Sequence, residues 1–349
     1  MVTMLDYIKE EQVSLTTILD EFDCNKKQFG EVKYCLILAT GSSYNACLAA
    51  KYYMESTSSL HIDIQEPFNY LHYGKVDSKV DLVIAVSQSG KSTSTIKAVE
   101  KLTLSTNVKT IAITSDITSP ITKVVDTVFD LNMGIEKVGF VTKGYSATIL
   151  NLMLVALSAA KESELLTSDE IEDEINNIRS AIMNIDNVIT KSADFFEIHK
   201  ESLISGHRFI AMGYGPNWGT AKEFETKFTE TVRKPSQGFE LEAYMHGPYL
   251  EANRDHTLFY IETDNKLKDR SIALRNYMKE YVKSSFTITI EKSEDPNTLA
   301  LDAIVSEKVS PLLLIIPFQY LAYQIATAQG IDLNKRIFDN FDQVLKSKI

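Results

Sequence analysis

Cysteine is scarce: the 349 residues hold three, Cys24, Cys35 and Cys47. Their spacing fits no metal-ligand pattern. An odd number with no secretion signal fits a reducing, cytoplasmic setting. No such signal is expected in MVTMLDYIKEEQ, which is charged and lacks a long apolar core. A long uninterrupted hydrophobic run is also missing. The longest apolar stretch, PLLLIIPFQYLAYQIATA (311–328), contains Pro317 and several polar residues, and reads as a buried helix rather than a membrane span. Positive charge is in deficit, with 36 Lys+Arg against 47 Asp+Glu and a net charge of −11. That argues against the basic face of a nucleic-acid binder. It leaves room for a small anionic ligand, which needs only local donors.

What is present is an ordinary globular composition, 44% hydrophobic and 24% charged, long enough for two domains or one large α/β unit. Residues 3–22 read as an amphipathic lead helix, with Leu5, Ile8, Val13 and Leu15 to Ile18 on its apolar stripe. YCLILAT (34–40) is a continuously apolar run and predicts a buried strand. Gly41 then permits a tight turn, and Ser42 or Ser43 can cap a helix. The pattern recurs in HIDIQ (61–65), DLVIAVS (81–87) with a helix near 93–104, VKTIAITS (108–115) and TVFDLN (127–132). Short apolar strands alternating with helices indicate βαβ units in a parallel sheet. Ligands of such sheets sit at the C-terminal strand ends. Residues 144–163 read as a buried helix and 168–200 as a charged helical connector.

The second half repeats the first. RFIAMGYGPNWGTAKEF (208–224) resembles YCLILATGSSYNACLAA (34–50). TLFYIET (257–263) parallels LVIAVSQ (82–88), and FTITIE (286–291) parallels KTIAIT (109–114). Aligning Gly41 with Gly215 gives an offset of 174 residues, half the chain, which suggests a duplicated α/β domain. The copies differ at one loop: SQSGKST in the first corresponds to ETDNKLK in the second.

Ser87-Gln88-Ser89-Gly90-Lys91-Ser92-Thr93 lies between a predicted strand and helix. The helix N-terminus offers unpaired N–H groups and a positive dipole end. The hydroxyls of Ser87, Ser89 and Ser92 add donors, and Gly90 lets a phosphate approach the backbone. A serine-rich helix cap is the plainer reading. AVSQSGKS (85–92) also nearly matches the nucleotide loop G-x-x-x-x-G-K-S/T, but Ala85 replaces its first glycine and no magnesium-binding Asp follows an apolar strand downstream.

In the helix predicted over 220–232, Ala221, Phe224, Phe228 and Val232 form an apolar stripe at about 3.6 residues per turn. Glu223, Lys227 and Glu230 fall on the other face at i, i+4 and i+7, a spacing that also suits an ordinary surface ion pair. Three features favour chemistry. The helix follows a Gly-Tyr-Gly-Pro turn, where a sheet-end site would be; His246 follows in the next loop; and the groups suit sugar-phosphate chemistry. Moving a proton between C1 and C2 of an open sugar needs a carboxylate base. Ring opening or amine departure suits a histidine acid, and a lysine can hold phosphate or enolate charge.

These motifs together resemble the SIS (sugar isomerase) proteins, specifically the isomerase half of glucosamine-6-phosphate synthase and the fructosamine and glucoselysine 6-phosphate deglycases. TGSSYNA (40–46) is similar to the first sugar-binding loop of that family, SQSGKS (87–92) to its phosphate loop, and Glu223, Lys227, Glu230 and His246-Gly247-Pro248 to its catalytic helix and loop. AYQIATAQGID (322–332) is similar to its closing segment. The resemblance implies an α/β protein of two duplicated SIS domains, each a mostly parallel sheet flanked by helices in a flavodoxin-like three-layer sandwich. The expected division is 1–165 for the lead helix and first domain, and 166–349 for the connector, the second domain and the tail.

It further implies that Gly41, Ser42, Ser43, Ser87, Gln88, Ser89 and Ser92 hold the substrate and its phosphate, with Thr142 and Lys143 of GFVTKGYS lining the sugar site. Glu230 would be the proton-transfer base and His246 the ring-opening acid, contributed across a homodimer, while Lys227 and Glu223 position the substrate. No metal or organic cofactor is implied, and no nucleic-acid or membrane partner. Position 2 is Val rather than a nucleophilic Cys, so no glutaminase activity is expected. The synthases carry an imine-forming lysine in the C-terminal tail, for which RIFDNFDQVLKSKI (336–349) has no clear counterpart; Lys346 and Lys348 are left unassigned. This departure points to a deglycase, which splits a 6-phosphorylated Amadori compound into hexose 6-phosphate and free amine. A plain aldose–ketose isomerase, an amino-sugar-phosphate deaminase and a non-catalytic sugar-phosphate sensor are the alternatives.

Overall fold

A short apolar run between turn residues is stable in a mixed α/β chain as a strand covered on both faces. In the computed structural model, which describes residues 2–24, 29–30 and 32–349, LVIAV and HTLFYIE are strands buried at every position. In chain order the elements are α1 (Met4–Asp20), β1 (Tyr34–Leu38), α2 (Ser42–Thr57), β2 (His61–Gln65), α3 (Pro67–Tyr73), β3 (Leu82–Val86), α4 (Thr93–Ser105), β4 (Lys109–Thr114), β5 (Thr127–Asp130) and α5 (Lys143–Glu162). Then follow α6 (Ser168–Met183), α7 (Ile185–Ile204), β6 (Arg208–Gly213), α8 (Asn217–Thr231), β7 (Ser236–Glu240), α9 (Leu241–Met245), β8 (His256–Glu262), α10 (Lys268–Met278), β9 (Ser284–Thr289), β10 (Thr298–Ala300), α11 (Pro311–Leu314), α12 (Ile316–Ala328) and α13 (Phe341–Leu345).

The contacts group these into two units. Val13–Ile175 with Lys335–Ile349 form one, here the first-half unit; Met1–Gln12 with Asn176–Asn334 form the second-half unit. Each end of the chain thus groups with the half it does not belong to by sequence.

The first-half unit has one parallel sheet in the order β2-β1-β3-β4-β5. Its middle strand, β3, is buried at every position. On one face Ile96, Val99 and Leu102 of α4 pack on Leu36, Leu38, Val83 and Ala112. α5 packs on α2 and is buried continuously from Lys143 to Ala160. The second-half unit has a parallel sheet in the order β7-β6-β8-β9-β10, the same winding as the first. The repeat seen in sequence is therefore a repeat of topology, with β6 in the place of β1 and β8 in the place of β3.

The stretch 311–328 forms two short helices, with Pro317 in the first turn of α12, where a missing N–H costs nothing. Among the described residues two stretches, α5 and 311–328, are long and apolar enough to cross a membrane, yet 100% and 72% of their apolar windows lie inside the protein. Both are core helices. The three cysteines are unpaired. Burial pushes the thiols of Cys35 and Cys47 well above the usual range, so both behave as inert core residues.

Aromatic packing fixes α8 on its sheet. Phe224 lies 4.2 Å from Phe228, 5.0 Å from Phe318 and 5.6 Å from Phe259 between ring centroids. Phe228 in turn meets Phe209 at 5.3 Å. Phe224→Ala is expected to destabilise the second-half unit by about 3–5 kcal/mol, read from the urea unfolding transition. A cost under about 1 kcal/mol would show that this cluster does not anchor the helix.

Candidate functional site

In the first sheet the chain leaves β1 toward one side and β3 toward the other, so the loops after these neighbouring strands meet at a topological switch point. The loop after β1 brings Gly41, at φ +59°, then buried Ser42 and half-buried Ser43 into the first turn of α2. The loop after β3 brings Ser87 to Ser92. Ser87 is buried, Gln88 half-buried and Ser89 exposed. Its turn closes with Gly90 N–H donating to Ser87 O at 2.9 Å. Gly90 adopts φ +62°, and a Cβ there would sit 1.8 Å from Ser119 Oγ, so only glycine fits. The hydroxyls of Thr114 and Ser115 donate to Gln88 O at 3.1 and 2.8 Å, which fixes the loop from below.

A residue that sequence reasoning missed ties this loop to the next. Glu136 accepts from Gln88 Nε2 at 2.5 Å and from Thr142 N–H at 3.1 Å. Thr142 and Lys143, both buried, open α5. A Cβ on Gly144 would lie 2.5 Å from Gln88 Nε2, so the close approach of α5 to this bridge also depends on a missing side chain. Glu136 therefore orients the Gln88 amide of this loop and the start of the helix that carries Thr142 and Lys143. A lone acid in a loop has no spacing signal, and nothing in the sequence pattern marked it.

The C-terminal tail lies against the same loop. Thr93 N–H donates to Ser347 O at 3.2 Å and Ile349 N–H to Lys91 O at 3.1 Å, around an antiparallel bridge between Ser92 and Lys348. Arg336 Nη2 and Ser347 Oγ both donate to Asp342, at 2.8 and 2.6 Å, and hold the tail's shape. Lys346 and Lys348, unassigned in sequence, thus flank the anion loop.

In the second-half unit, Glu223 and Lys227 are fully buried rather than solvated. Lys227 Nζ lies 2.7 Å from Glu230 Oε2 and 3.6 Å from Glu223 Oε1. Glu230 keeps 38% of its side chain exposed. The helix face thus presents one accessible carboxylate backed by a buried ammonium, itself countered by a buried carboxylate. A buried lysine is tolerable only when so paired. Out of water its charge acts more strongly on any negative charge that develops beside it.

His246 follows α9, with 74% of its side chain exposed. Its Nε2 lies 3.1 Å from Glu242 Oε1, and Glu242 accepts from Arg270 Nε at 2.6 Å and Nη2 at 2.8 Å. The Arg270 guanidinium, with a smaller contribution from His246, holds the Glu242 carboxyl below its usual range. Among the described residues no hydrogen bond or ion pair joins His246 to Glu230.

The loop after β8, the counterpart of the anion loop, is already filled. Thr263 Oγ1 donates to Glu307 Oε1 at 2.8 Å, and Asn265 Nδ2 donates to the same oxygen. An internal carboxylate thus takes the place that an external anion would need, which accounts physically for the divergence of ETDNKLK from SQSGKST.

Comparison with known proteins agrees with these features. The SIS domain family matches residues 30–158. A glutamine–fructose-6-phosphate aminotransferase (isomerizing) of Methanosarcina acetivorans is 25% identical over 323 residues, covering 91% of this chain and 52% of the relative. The chain therefore spans about half the length of the curated relatives it matches. Among solved structures, a protein assigned as a phosphosugar isomerase from Clostridium difficile 630 superposes with a TM-score of 0.91 at 28% identity, covering 99% of this chain and 98% of that one. The C-terminal domain of glucosamine-fructose-6-phosphate aminotransferase from Francisella tularensis superposes with a TM-score of 0.85 at 21% identity, covering 95% and 97%. Residues 30–158 thus match the SIS domain, and the two five-stranded parallel sheets of one winding give the whole chain the fold of the Clostridium difficile protein assigned as a phosphosugar isomerase.

Proposed function

We propose that the protein is an enzyme that moves a proton between C1 and C2 of an open-chain 6-phosphorylated sugar. The observation that carries this reading is the 2.7 Å pair of buried Lys227 with partly exposed Glu230. Glu230 shuttles the proton as general base, and Lys227 holds its carboxylate in place and offsets enolate charge. Glu223 is the buried counter-charge to Lys227. Ser42, Ser43, Ser87, Ser89 and Ser92 take the phosphate. His246, supplied in this reading across a homodimer, assists ring opening or amine departure. Sugar-phosphate chemistry of this kind is carried by side chains alone, in a cytoplasmic protein.

The finer reading is a deglycase. The substrate is a 6-phosphorylated Amadori compound. Loss of the C1 proton and protonation at C2 turn it into the aldose imine, and water then releases the amine and hexose 6-phosphate. A second reading is favoured by the tail. Lys346 and Lys348 flank the anion loop, where an amine could form an imine with a ketose; that arrangement suits an aldose–ketose isomerase or an amino-sugar-phosphate deaminase.

Incubation with fructoselysine 6-phosphate, glucoselysine 6-phosphate, glucosamine 6-phosphate and fructose 6-phosphate, followed by mass spectrometry, separates these. Free lysine with hexose 6-phosphate supports the deglycase; ammonia or interconverted hexose phosphates supports the second reading. Glu230→Gln is expected to lower kcat by about 10²–10⁴-fold whichever substrate turns over. Sugar phosphates that bind with no turnover by the wild type would instead identify a sensor. Glu136→Gln, which removes charge-assisted bonds to Gln88 and Thr142, is expected to raise KM about tenfold with kcat nearly unchanged. An unchanged KM would remove Glu136 from the account of substrate positioning.

A further inference from the structure

The short helix that leads into His246 is fixed on one side and open on the other. Leu241 and Tyr244 of α9 are buried in one core cluster with Leu274 and Met278 of α10. Glu240 caps α9, accepting from Ala243 N–H at 2.9 Å. Glu242 and His246 stand four residues apart on the outward side. Arg270 reaches them from the first turn of α10. Packing of the two helices in one core holds these three side chains at a set spacing, although they belong to different elements.

Their contacts have a direction. Arg270 donates through Nε to Glu242 Oε2 at 2.6 Å and through Nη2 to Oε1 at 2.8 Å, a two-pronged contact that fixes the plane of the carboxylate. His246 Nε2 lies 3.1 Å from that same Oε1. The guanidinium holds the Glu242 carboxyl below its usual range, so at neutral pH it is ionised and can only accept. The ring nitrogen that faces it therefore carries a hydrogen. Nδ1 is the nitrogen left over. It makes no hydrogen bond among the described residues, and 74% of the side chain is open to a ligand. A lone exposed ion pair contributes little to stability. Three groups that end on one free imidazole nitrogen set an orientation and a tautomer instead.

We propose that Glu242 and Arg270 are positioning residues for His246, and that the trio serves the opening of the sugar ring and not the proton transfer between C1 and C2. The inference rests on the role given to His246 above. Nδ1 takes the proton of the anomeric hydroxyl. The ring C–O bond breaks as the carbonyl forms, and the imidazolium returns the proton to the ring oxygen, so none is gained or lost. Glu242 accepts from Nε2–H throughout and faces the positive charge while it lasts. All three residues lie on one chain, so the arrangement stays with His246 whichever protomer's site it serves.

The test follows solvent deuterium exchange at C1 and C2 of two sugars with the full chain. Fructose 6-phosphate is mostly ring-closed; 5-deoxyfructose 6-phosphate lacks the hydroxyl that closes the ring. Glu242→Gln is expected to lower kcat on fructose 6-phosphate about tenfold with KM nearly unchanged, and to cost no more than about twofold on the open-chain analogue. Arg270→Met is expected to show the same selectivity with a smaller loss, about threefold. Adding His246→Asn to Glu242→Gln is expected to cost less than the product of the two single losses, because the residues act as a unit. Circular dichroism checks the fold of each variant. Equal loss on both sugars, or no loss on fructose 6-phosphate, would overturn the proposal. Wild-type protein that exchanges neither sugar would overturn the Glu230 reading, and this assignment with it.

Discussion

A lysine ammonium taken fully out of water is the interaction on which the account turns. Lys227 shows no exposed surface, and isolating such a charge costs several kcal/mol. The chain meets that cost with two carboxylates spaced on the same helix, one buried and one reaching solvent. The geometry has direction. Glu223 is closed in, so any exchange of protons with a ligand falls to Glu230. The aromatic packing of Phe224 and Phe228 on the far side of α8 holds that direction, because rotation of the helix would expose phenyl rings and strand the lysine. Core packing and the proposed chemistry are thus two faces of one helix.

The duplicated architecture gives a physical basis for dividing the two proposed roles between the copies. Both sheets have the same winding and both offer a loop at the equivalent strand end. In the first copy the loop keeps its backbone donors and hydroxyls, with Gly90 tight against Ser119. In the second copy Thr263 and Asn265 are committed to Glu307. Filling one loop from within leaves the helix after β6 to specialise instead. Divergence here follows a physical rule: a polar strand end is either satisfied by the chain itself or left for a ligand.

Much of this was legible in the sequence, for definite reasons. Apolar runs such as LVIAVS and TLFYIE have few other options than a central strand, and both are the buried middle strands. The repeat announced itself through Gly41 and Gly215. The edge strands were not legible in the second half: SQGFE and TLA are short and only half buried, so they carry no periodic signal. The burial of Glu223 and Lys227 was hidden because a Glu-to-Lys pair at i, i+4 looks the same on a wet surface and in a core. Glu136 escaped because its role depends on two partners far along the chain. The tail escaped because it meets the anion loop through backbone groups, which any sequence supplies.

The central claim is that Glu230, backed by Lys227, transfers a proton at C1 or C2 of a hexose phosphate. The most direct measurement is exchange of solvent deuterium. Fructose 6-phosphate is incubated with the protein in D2O and the recovered hexose phosphates are read by NMR. The account predicts deuterium at C1 or C2 with the wild-type protein and none with Glu230→Gln. Undiminished deuterium in the Glu230→Gln product would contradict it.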